Sequence, residues 1–152
     1  MSQLPPGLLL LDTGIYIRVS RGEGYAWVSE DARVFQRTIL TAVVAAELYA
    51  GTRDRREKRA LDNLCRAHRS LGHFSSPPSA AWIEAGILLR RTHAAFGQMD
   101  FLHHFRDLLI ALEAVRVGAT LVTENIRDFA RWKSLLSSAE GTLKIFDPAE
   151  ST

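Results

Sequence analysis

Three short apolar or β-branched runs along the chain predict buried strands. They are Leu8 to Leu11, Thr38 to Leu40 and Thr120 to Thr123, and residues that favour turns or helix starts follow them. Such runs are too short for a helix, and their lack of polar alternation is typical of strands buried on both faces of a parallel sheet. We also expect a short strand and turn at 74–78 and a last strand at 143–146.

Between these strands, apolar residues recur at helical spacing. Thr41 is a suitable N-cap and Gly51 a C-terminal signal for one helix, and Gly118 ends another because glycine tolerates the left-handed conformation. The predicted helices cover roughly residues 25–35, 42–50, 52–71, 80–92 and 107–117. Strands that alternate with helices indicate the α/β class with a mainly parallel sheet.

The length and composition of the chain limit what it can be. With 152 residues, of which 47% are hydrophobic, we expect one domain over residues 1–152. The longest apolar run, Leu8 to Leu11, is far shorter than the roughly 20 residues of a membrane span, and no signal peptide precedes it. We therefore expect a cytoplasmic protein. Cys65 is the only cysteine, which excludes an intramolecular disulfide and predicts a small buried hydrophobe.

The charge of the chain permits an anionic partner without demanding one. The formal net charge is +2 and the isoelectric point is near 9.0. The charged run from Arg53 to Arg59 contains both signs, which is more typical of a solvated helix face than of a stripe that binds nucleic acid. Charge alone therefore does not identify a nucleic-acid partner.

Two acids follow predicted strands. Asp12 comes directly after the first strand, and Asp128 lies just beyond the strand at 120–123. In open α/β sheets, ligands bind at the carboxyl ends of strands, so both acids are candidate site residues. Local structure offers an alternative for each, because Asp12 suits a helix N-cap, and Asn125 with Asp128 three residues later approximates a capping box.

Two further acids lie within predicted helices. Glu47 is the only charge in a helix otherwise built of small and apolar residues, so it should be paired or ligating unless it lies at the surface. Asp107 shares a helical stripe with Ala111 and Ala114 and should point inward, although an acid favoured by the positive end of a helix is the simpler alternative. Glu113 points to another side of the helix, and we expect it to be an ordinary surface acid.

Carboxylates gathered in one pocket raise one another's pKa values and destabilise a fold unless a cation compensates. Hard oxygen ligands of this kind select Mg²⁺ or Mn²⁺. The four acids that predict such a site are Asp12, Glu47, Asp107 and Asp128.

The segment GQMDFLHHF, residues 97–105, invites a zinc interpretation. It contains Asp100, His103 and His104, and His103 is four residues before Asp107. Zinc sites usually gather three or four protein ligands in recognised spacings, and this segment matches none of them. We therefore expect a loop or a helix-entry segment here.

Four motifs give the chain a resemblance to a known family. The motifs that carry it are LLLLDTGIYI, TAVVAAELYAG, DLLIALEAVRVGA and LVTENIRDF, and their landmark residues run from Asp12 to Phe129. In these motifs the chain resembles the PIN-domain ribonucleases, most closely the VapC-like toxins of toxin–antitoxin pairs. The resemblance places Thr123 and Asn125 among residues that contact substrate. It also implies that the catalytic, metal-binding positions are Asp12, Glu47, Asp107 and Asp128.

The resemblance implies a PIN-like three-layer α/β/α sandwich and a Mg²⁺- or Mn²⁺-dependent endoribonuclease that hydrolyses RNA. It also implies a homodimer and a small cognate antitoxin that lies across the acidic groove. Two alternatives stay open: a catalytically silent PIN-fold domain that binds protein, and a phosphoacceptor receiver-like domain, which would use Lys144 on a late strand. Glu124 departs from the family pattern, and it should face away from Thr123 because neighbours in a strand alternate sides.

Overall fold

Five short parallel strands form the centre of the molecule. The computed structural model describes residues 4–96, 101–136 and 141–151. Within these ranges the sheet has the order β3-β2-β1-β4-β5, and every neighbouring pair is parallel. The strands are β1 (Leu9–Leu11), β2 (Thr38–Thr41), β3 (Phe74–Ser75), β4 (Thr120–Val122) and β5 (Lys144–Phe146).

The three central strands are buried on both faces. All residues of β1, β2 and β4 are buried, and Leu9 and Leu10 in β1 have no exposed surface. A strand without polar alternation requires an apolar layer above and below it, and helices provide both layers. The expected three-layer α/β/α sandwich is therefore confirmed.

The helices agree with the apolar spacing except near residues 25–35 and 101–106. The segment 25–35 contains two short helices rather than one, and the helix predicted from about Asp107 begins six residues earlier, at Phe101. None of the helices within the described ranges is long and apolar enough to cross a membrane. The helices are α1 (Thr13–Ser20), α2 (Trp27–Glu30), α3 (Ala32–Gln36), α4 (Ala42–Ala50), α5 (Arg55–Ser70), α6 (Ser79–Phe96), α7 (Phe101–Val117) and α8 (Ile126–Leu135), and a 3-10 turn follows at Pro148–Ser151.

Helix α7 is enclosed on nearly all sides. It packs against α4, α6, α8 and β4, and every residue from Asp107 to Ala114 is buried. The prediction that Glu113 is a surface acid is wrong, because its side chain is 1% exposed. Its carboxylate pairs with Arg116 one turn later, and the Arg116 guanidinium reaches partly into solvent. Phase within one helix could not reveal that the polar side of α7 is also covered.

Cys65 and the segment at 97–105 complete the comparison with the sequence. Cys65 is buried and 6% exposed, which confirms its role as a small buried hydrophobe. Residues 101–105 belong to α7 rather than to a loop. The expectation of a helix entry in the segment 97–105 is therefore confirmed for its last five residues. Asp100 lies outside the described residues.

Candidate metal centre

The candidate site lies where the strand order changes direction. From β1 the chain adds β2 and then β3 on one side, whereas β4 and β5 lie on the other side. The backbone N–H of Asp12 donates to the carbonyl of Val122 at 2.9 Å, which ties the carboxyl ends of β1 and β4 together. In open α/β sheets this change of direction opens a crevice at the carboxyl ends of the strands, where ligands bind.

Asp12 caps a helix and also faces this crevice. Its Oδ1 accepts from the backbone N–H of Thr13 at 2.8 Å at the start of α1, and its Oδ2 accepts from Thr123 Oγ1 at 2.8 Å. The N-cap interpretation of Asp12 is therefore confirmed, and the same carboxylate lies at the carboxyl edge of the sheet, where the candidate site was expected. Burial raises the pKa of Asp12, although the two hydrogen bonds and the Arg106 charge oppose that shift.

Asp107 is the most buried acid of the four. Its side chain is 6% exposed, and its Oδ2 accepts no hydrogen bond from residues 4–96, 101–136 or 141–151. Burial and then the charge of Asp12 raise its pKa to about 7, with smaller contributions from Asp128 and Glu47. Because α7 begins at Phe101, Asp107 lies beyond the first turn, so the alternative of a helix-terminal acid is wrong.

Glu47 joins the same pocket from α4. Its Oε1 lies 3.1 Å from Nε of Arg106, and its side chain is 19% exposed. Burial raises the pKa of Glu47 despite the nearby Arg106 charge, and Asp12 raises it further. The expectation that Glu47 is paired is confirmed, and its partner is the residue that precedes Asp107.

Thr123, Asn125 and Asp128 form the other wall of the crevice. Thr123 Oγ1 accepts from the backbone N–H of Asn125 at 3.0 Å while its own hydroxyl donates to Asp12. The Asn125 Nδ2 donates to Asp128 Oδ2 at 3.2 Å. The capping-box interpretation is wrong, because the Asn125 N–H bonds to Thr123 and not to Asp128. The three polar side chains are instead held in one chain of hydrogen bonds beside Asp12.

A divalent cation fits this arrangement. Four carboxylates converge on the crevice, and the Arg106 charge acts on Asp12, Glu47 and Asp107, while His103 also lowers the pKa of Glu47. A buried carboxylate oxygen without a hydrogen-bond donor is costly unless a cation or a proton satisfies it. Asp107 Oδ2 is such an atom, so the donor set suits Mg²⁺ or Mn²⁺.

Comparison with known proteins identifies the fold. Neither a family profile nor a curated protein matches the chain. VapBC from Salmonella typhimurium bound to DNA matches with a TM-score of 0.64 and 19% identity over 94% of this chain and 99% of that chain. VapBC-1 from nontypeable Haemophilus influenzae matches with a TM-score of 0.63 and 20% identity, over 93% of this chain and 98% of that chain. FitAcB from Neisseria gonorrhoeae matches with a TM-score of 0.62 and 19% identity, over 93% of this chain and 99% of that chain.

The chain has a PIN-like fold. Its five-stranded parallel sheet and flanking helices match the fold of the VapBC and FitAcB structures. The sequence identities stay at or below 20%, so the likeness concerns the fold, and the chemistry must be argued from the residues of this chain.

Glu124, the departure within the PIN-like motif, does not point into the crevice. Its carboxylate pairs with Arg18 Nε at 2.9 Å and accepts a hydrogen bond from the Tyr25 hydroxyl. The Thr123 hydroxyl meanwhile bonds to Asp12. The prediction that Glu124 faces away from Thr123 is therefore confirmed, and the extra acid links the end of β4 to α1 and to the loop after it.

Sequence reasoning missed Arg106 beside the acids of this PIN-like domain, and it set aside His103 and His104 because they match no recognised zinc spacing. Arg106 contacts Glu47, and its Nη2 lies 3.2 Å from His103 Nδ1. His103 and His104 lie one helical turn before Asp107, with donor atoms near those of Asp107 and Asp128. The signal was the spacing of four and three residues to Asp107, which became meaningful only once α7 was seen to begin at Phe101.

Proposed function

We propose that the chain is a Mg²⁺- or Mn²⁺-dependent endoribonuclease, the toxin of a toxin–antitoxin pair. The observation that carries the proposal is the Asp107 carboxylate, whose Oδ2 is buried without a hydrogen-bond donor in the described part of the chain. Burial and then the Asp12 charge raise the pKa of this carboxylate. The convergence of acids at the carboxyl edge of a PIN-like sheet supports it. Such a pocket is unfavourable without a cation and suited to a phosphodiester once a cation is present.

The residues divide the proposed work among themselves. Asp12 and Asp107 would hold the cation, and Glu47 and Asp128 would complete the site directly or through water. A bound divalent cation supplies activation of water and neutralises charge on the scissile phosphate. Thr123 fixes the Asp12 carboxylate through its 2.8 Å hydrogen bond, and Asn125 fixes the Asp128 carboxylate. Both carboxylates are therefore held in place before substrate arrives.

The arrangement also disfavours the receiver-like alternative. Lys144 is the first residue of β5 and pairs in register with Thr120 at the amino end of β4. Asp12 lies beyond the opposite, carboxyl end of the sheet. A phosphoacceptor site would require the lysine and the acids at the same edge.

The proposal is tested by RNA cleavage with purified protein in Mg²⁺, Mn²⁺ or EDTA, on structured and single-stranded RNAs. The key variant is Asp12→Asn, because asparagine caps α1 as well as aspartate does while removing the charge. Asp54→Asn is the matched control, since Asp54 also caps a helix, α5, and lies on the exposed surface. We expect Asp12→Asn to lose about 100-fold or more in cleavage rate and Asp54→Asn to keep it.

Cleavage that survives both EDTA and Asp12→Asn would contradict the metal mechanism. A protein that binds Mn²⁺ but cleaves none of a broad RNA panel, including structured transfer and ribosomal RNAs, would favour the catalytically silent domain.

A protein partner forms the second part of the proposal. The three neighbours compared above are VapBC or FitAB-type assemblies, and the structure of VapBC from Salmonella typhimurium contains DNA. We propose that this chain likewise binds a small antitoxin, whose arginine or lysine would replace the cation against the carboxylates. Copurification of the chain with the product of the neighbouring small open reading frame tests this. Failure to copurify, with normal growth when the chain alone is induced, would argue against a toxin.

Self-association is proposed together with the antitoxin. The resemblance to the VapC-like toxins implies a homodimer, and the amphipathic α5 permits one. Light scattering of the purified chain measures this directly, and a mass near the 17.0 kDa of one chain at micromolar concentration would contradict it.

A further inference from the structure

Two imidazoles and two carboxylates converge beside the acid pocket. His103, His104, Asp107 and Asp128 each offer one ligand atom, and these four atoms all lie within 4.8 Å of one another. Two of the residues, Asp107 and Asp128, belong to the site described above. The two histidines do not, and the function proposed for the acids makes no use of them.

Helix geometry explains why the histidines reach Asp107. His103 and His104 precede Asp107 by four and three residues, and side chains at these spacings lie on the same face of a helix, one turn apart. The His104 ring also lies 5.3 Å from the buried Trp132 ring of α8 and 5.1 Å from the His103 ring. These contacts orient the two imidazoles toward the side on which α8 presents Asp128.

A second observation points to a ligand within this cluster. The Asp107 side chain is 6% exposed, and its Oδ2 is buried without a hydrogen-bond donor from the described residues. A carboxylate oxygen in that position requires a cation or a proton. The atom is shared between the acid pocket and the histidine side of the cluster, so a cation on either side can satisfy it.

We propose that His103, His104, Asp107 and Asp128 form a second cation position, which takes a transition-metal ion such as Zn²⁺ or Co²⁺. The inference rests on the proposed function only in treating Asp107 and Asp128 as metal ligands, and it does not depend on RNA cleavage. It returns to the zinc interpretation of the segment before Asp107, which the ligand spacing along the sequence did not favour.

The ligand chemistry separates this position from one for Mg²⁺. Imidazole nitrogen suits Zn²⁺, Co²⁺ and Ni²⁺, whereas Mg²⁺ prefers oxygen ligands and retained waters. In a tetrahedral zinc site with bonds of about 2.0–2.1 Å, ligand atoms lie roughly 3.3 Å apart. The present upper limit of 4.8 Å exceeds that by about 1.5 Å, so small side-chain rotations bring the four atoms to bonding distance.

Arg106 is the competing cation at this place. Its Nη2 lies 3.2 Å from His103 Nδ1, and its Nε lies 3.1 Å from Glu47 Oε1. Metal binding at His103 therefore uses the other ring nitrogen or moves Arg106 toward Glu47. The pocket still attracts a cation in either case, because Asp12, Asp128 and Glu47 all act on Asp107 as like charges while Arg106 opposes them.

The test is titration of the purified, metal-free full chain with Co²⁺, followed by visible absorption and by calorimetry with Zn²⁺. Among the cobalt sites, we expect one whose absorption bands indicate nitrogen ligands. His103→Gln and His104→Gln should each weaken Zn²⁺ binding by about tenfold or more, and the double variant should lose the bands. His93→Gln is the matched control, because His93 is exposed on α6 outside the cluster.

A measurement on the unaltered chain guards against variants that fail to fold. The chain has five histidines, and Zn²⁺ should shift the ring nitrogen NMR signals of His103 and His104 and leave that of His93 unchanged. The inference is overturned if Zn²⁺ shifts neither ring, or if the folded double variant binds Co²⁺ with the wild-type spectrum and affinity.

The outcome is distinguishable from that of the proposed function. A double variant that loses the cobalt bands yet still cleaves RNA in Mg²⁺ supports both proposals. Cobalt binding through the two histidines in a protein that cleaves no RNA supports the histidine position and contradicts the nuclease.

Discussion

Replacing Asp107 with asparagine should stabilise the metal-free protein at about pH 8, even though it removes a proposed metal ligand. The Asp107 side chain is 6% exposed, and burial together with the Asp12 charge raises its pKa from 3.8 to about 7. At a pH between these two pKa values, Asp107 holds a proton in the folded state that it has released in the unfolded chain. The free energy of unfolding therefore falls as the pH rises through this window.

The size of the effect follows from the two pKa values. A difference of about three units corresponds to about 4 kcal/mol, since each unit is worth about 1.36 kcal/mol. The stabilising contribution is fully present below pH 3.8 and is lost by the time the pH passes about 7. Asparagine has nearly the same shape but no charge to bury, and it forgoes the attraction to Arg106. We therefore expect a net gain on the order of 2 kcal/mol at about pH 8.

The assay is urea unfolding of the wild type, Asp107→Asn and the control Asp54→Asn, each at several pH values between about 5 and 8 in EDTA. From about pH 5 to 7, the free energy of unfolding of the wild type should fall by about 1.4 kcal/mol more per pH unit than that of Asp107→Asn. Saturating Mn²⁺ should reverse the order of stability, because the cation binds the folded wild type and binds the variant only weakly. At a Mn²⁺ concentration of about 100 times the Kd, the free energy of unfolding of the wild type should rise by about 2.7 kcal/mol.

Two results would refute this reasoning. One is a parallel loss of stability with pH in the wild type and Asp107→Asn, which would mean that Asp107 ionises at an ordinary pKa. The other is a variant that is less stable than the wild type at about pH 8 in EDTA, which would mean that the Asp107 charge is already compensated within the folded chain.

Three further changes test other parts of the structure. Burial and the neighbouring His73 lower the pKa of His68 from 6.5 to about 4, so its contribution to stability is present above pH 6.5 and lost as the pH falls toward 4. His68→Gln should remove about 3 kcal/mol of that acid sensitivity in urea unfolding at about pH 4 and 7, and an unchanged pH dependence would exclude His68 as its source. Arg116→Ala should lower the free energy of unfolding by about 2–3 kcal/mol, because it leaves the buried Glu113 carboxylate unpaired. Adding Glu113→Gln should recover part of this loss. A double-mutant cycle that shows no coupling between the two residues would contradict the pairing. Glu124→Gln should keep Mn²⁺ affinity within about twofold because its carboxylate binds Arg18 and Tyr25 outside the crevice, and a tenfold loss by calorimetry would place Glu124 in the site.

The positions of Asp12 and Asp128 could be predicted because they depend on local order along the chain. An apolar run such as Leu8 to Leu11 has to be buried on both sides, so it becomes a parallel strand, and the residue after it stands at the carboxyl edge. The charge of Glu47 within an apolar helix likewise indicated a partner, and the structure supplies Arg106. The helix from 42 to 50 was bounded by its own N-cap and glycine, which act over only one turn.

Other features depended on contacts between distant segments, and only the tertiary structure decided them. Glu113 is buried because α7 is covered on its polar side as well, which the periodicity of α7 alone does not reveal. The chain of hydrogen bonds from Asp12 through Thr123 joins residues 111 positions apart, so it exists only because β1 and β4 are neighbours in the sheet. His103 and His104 meet Asp128 for a similar reason, since α7 and α8 pack together. The sequence by itself determined which acids follow strands and which helices are apolar, because those properties are local. The tertiary structure decided which charges share one pocket, because that depends on strand order and on how the helices pack over the sheet.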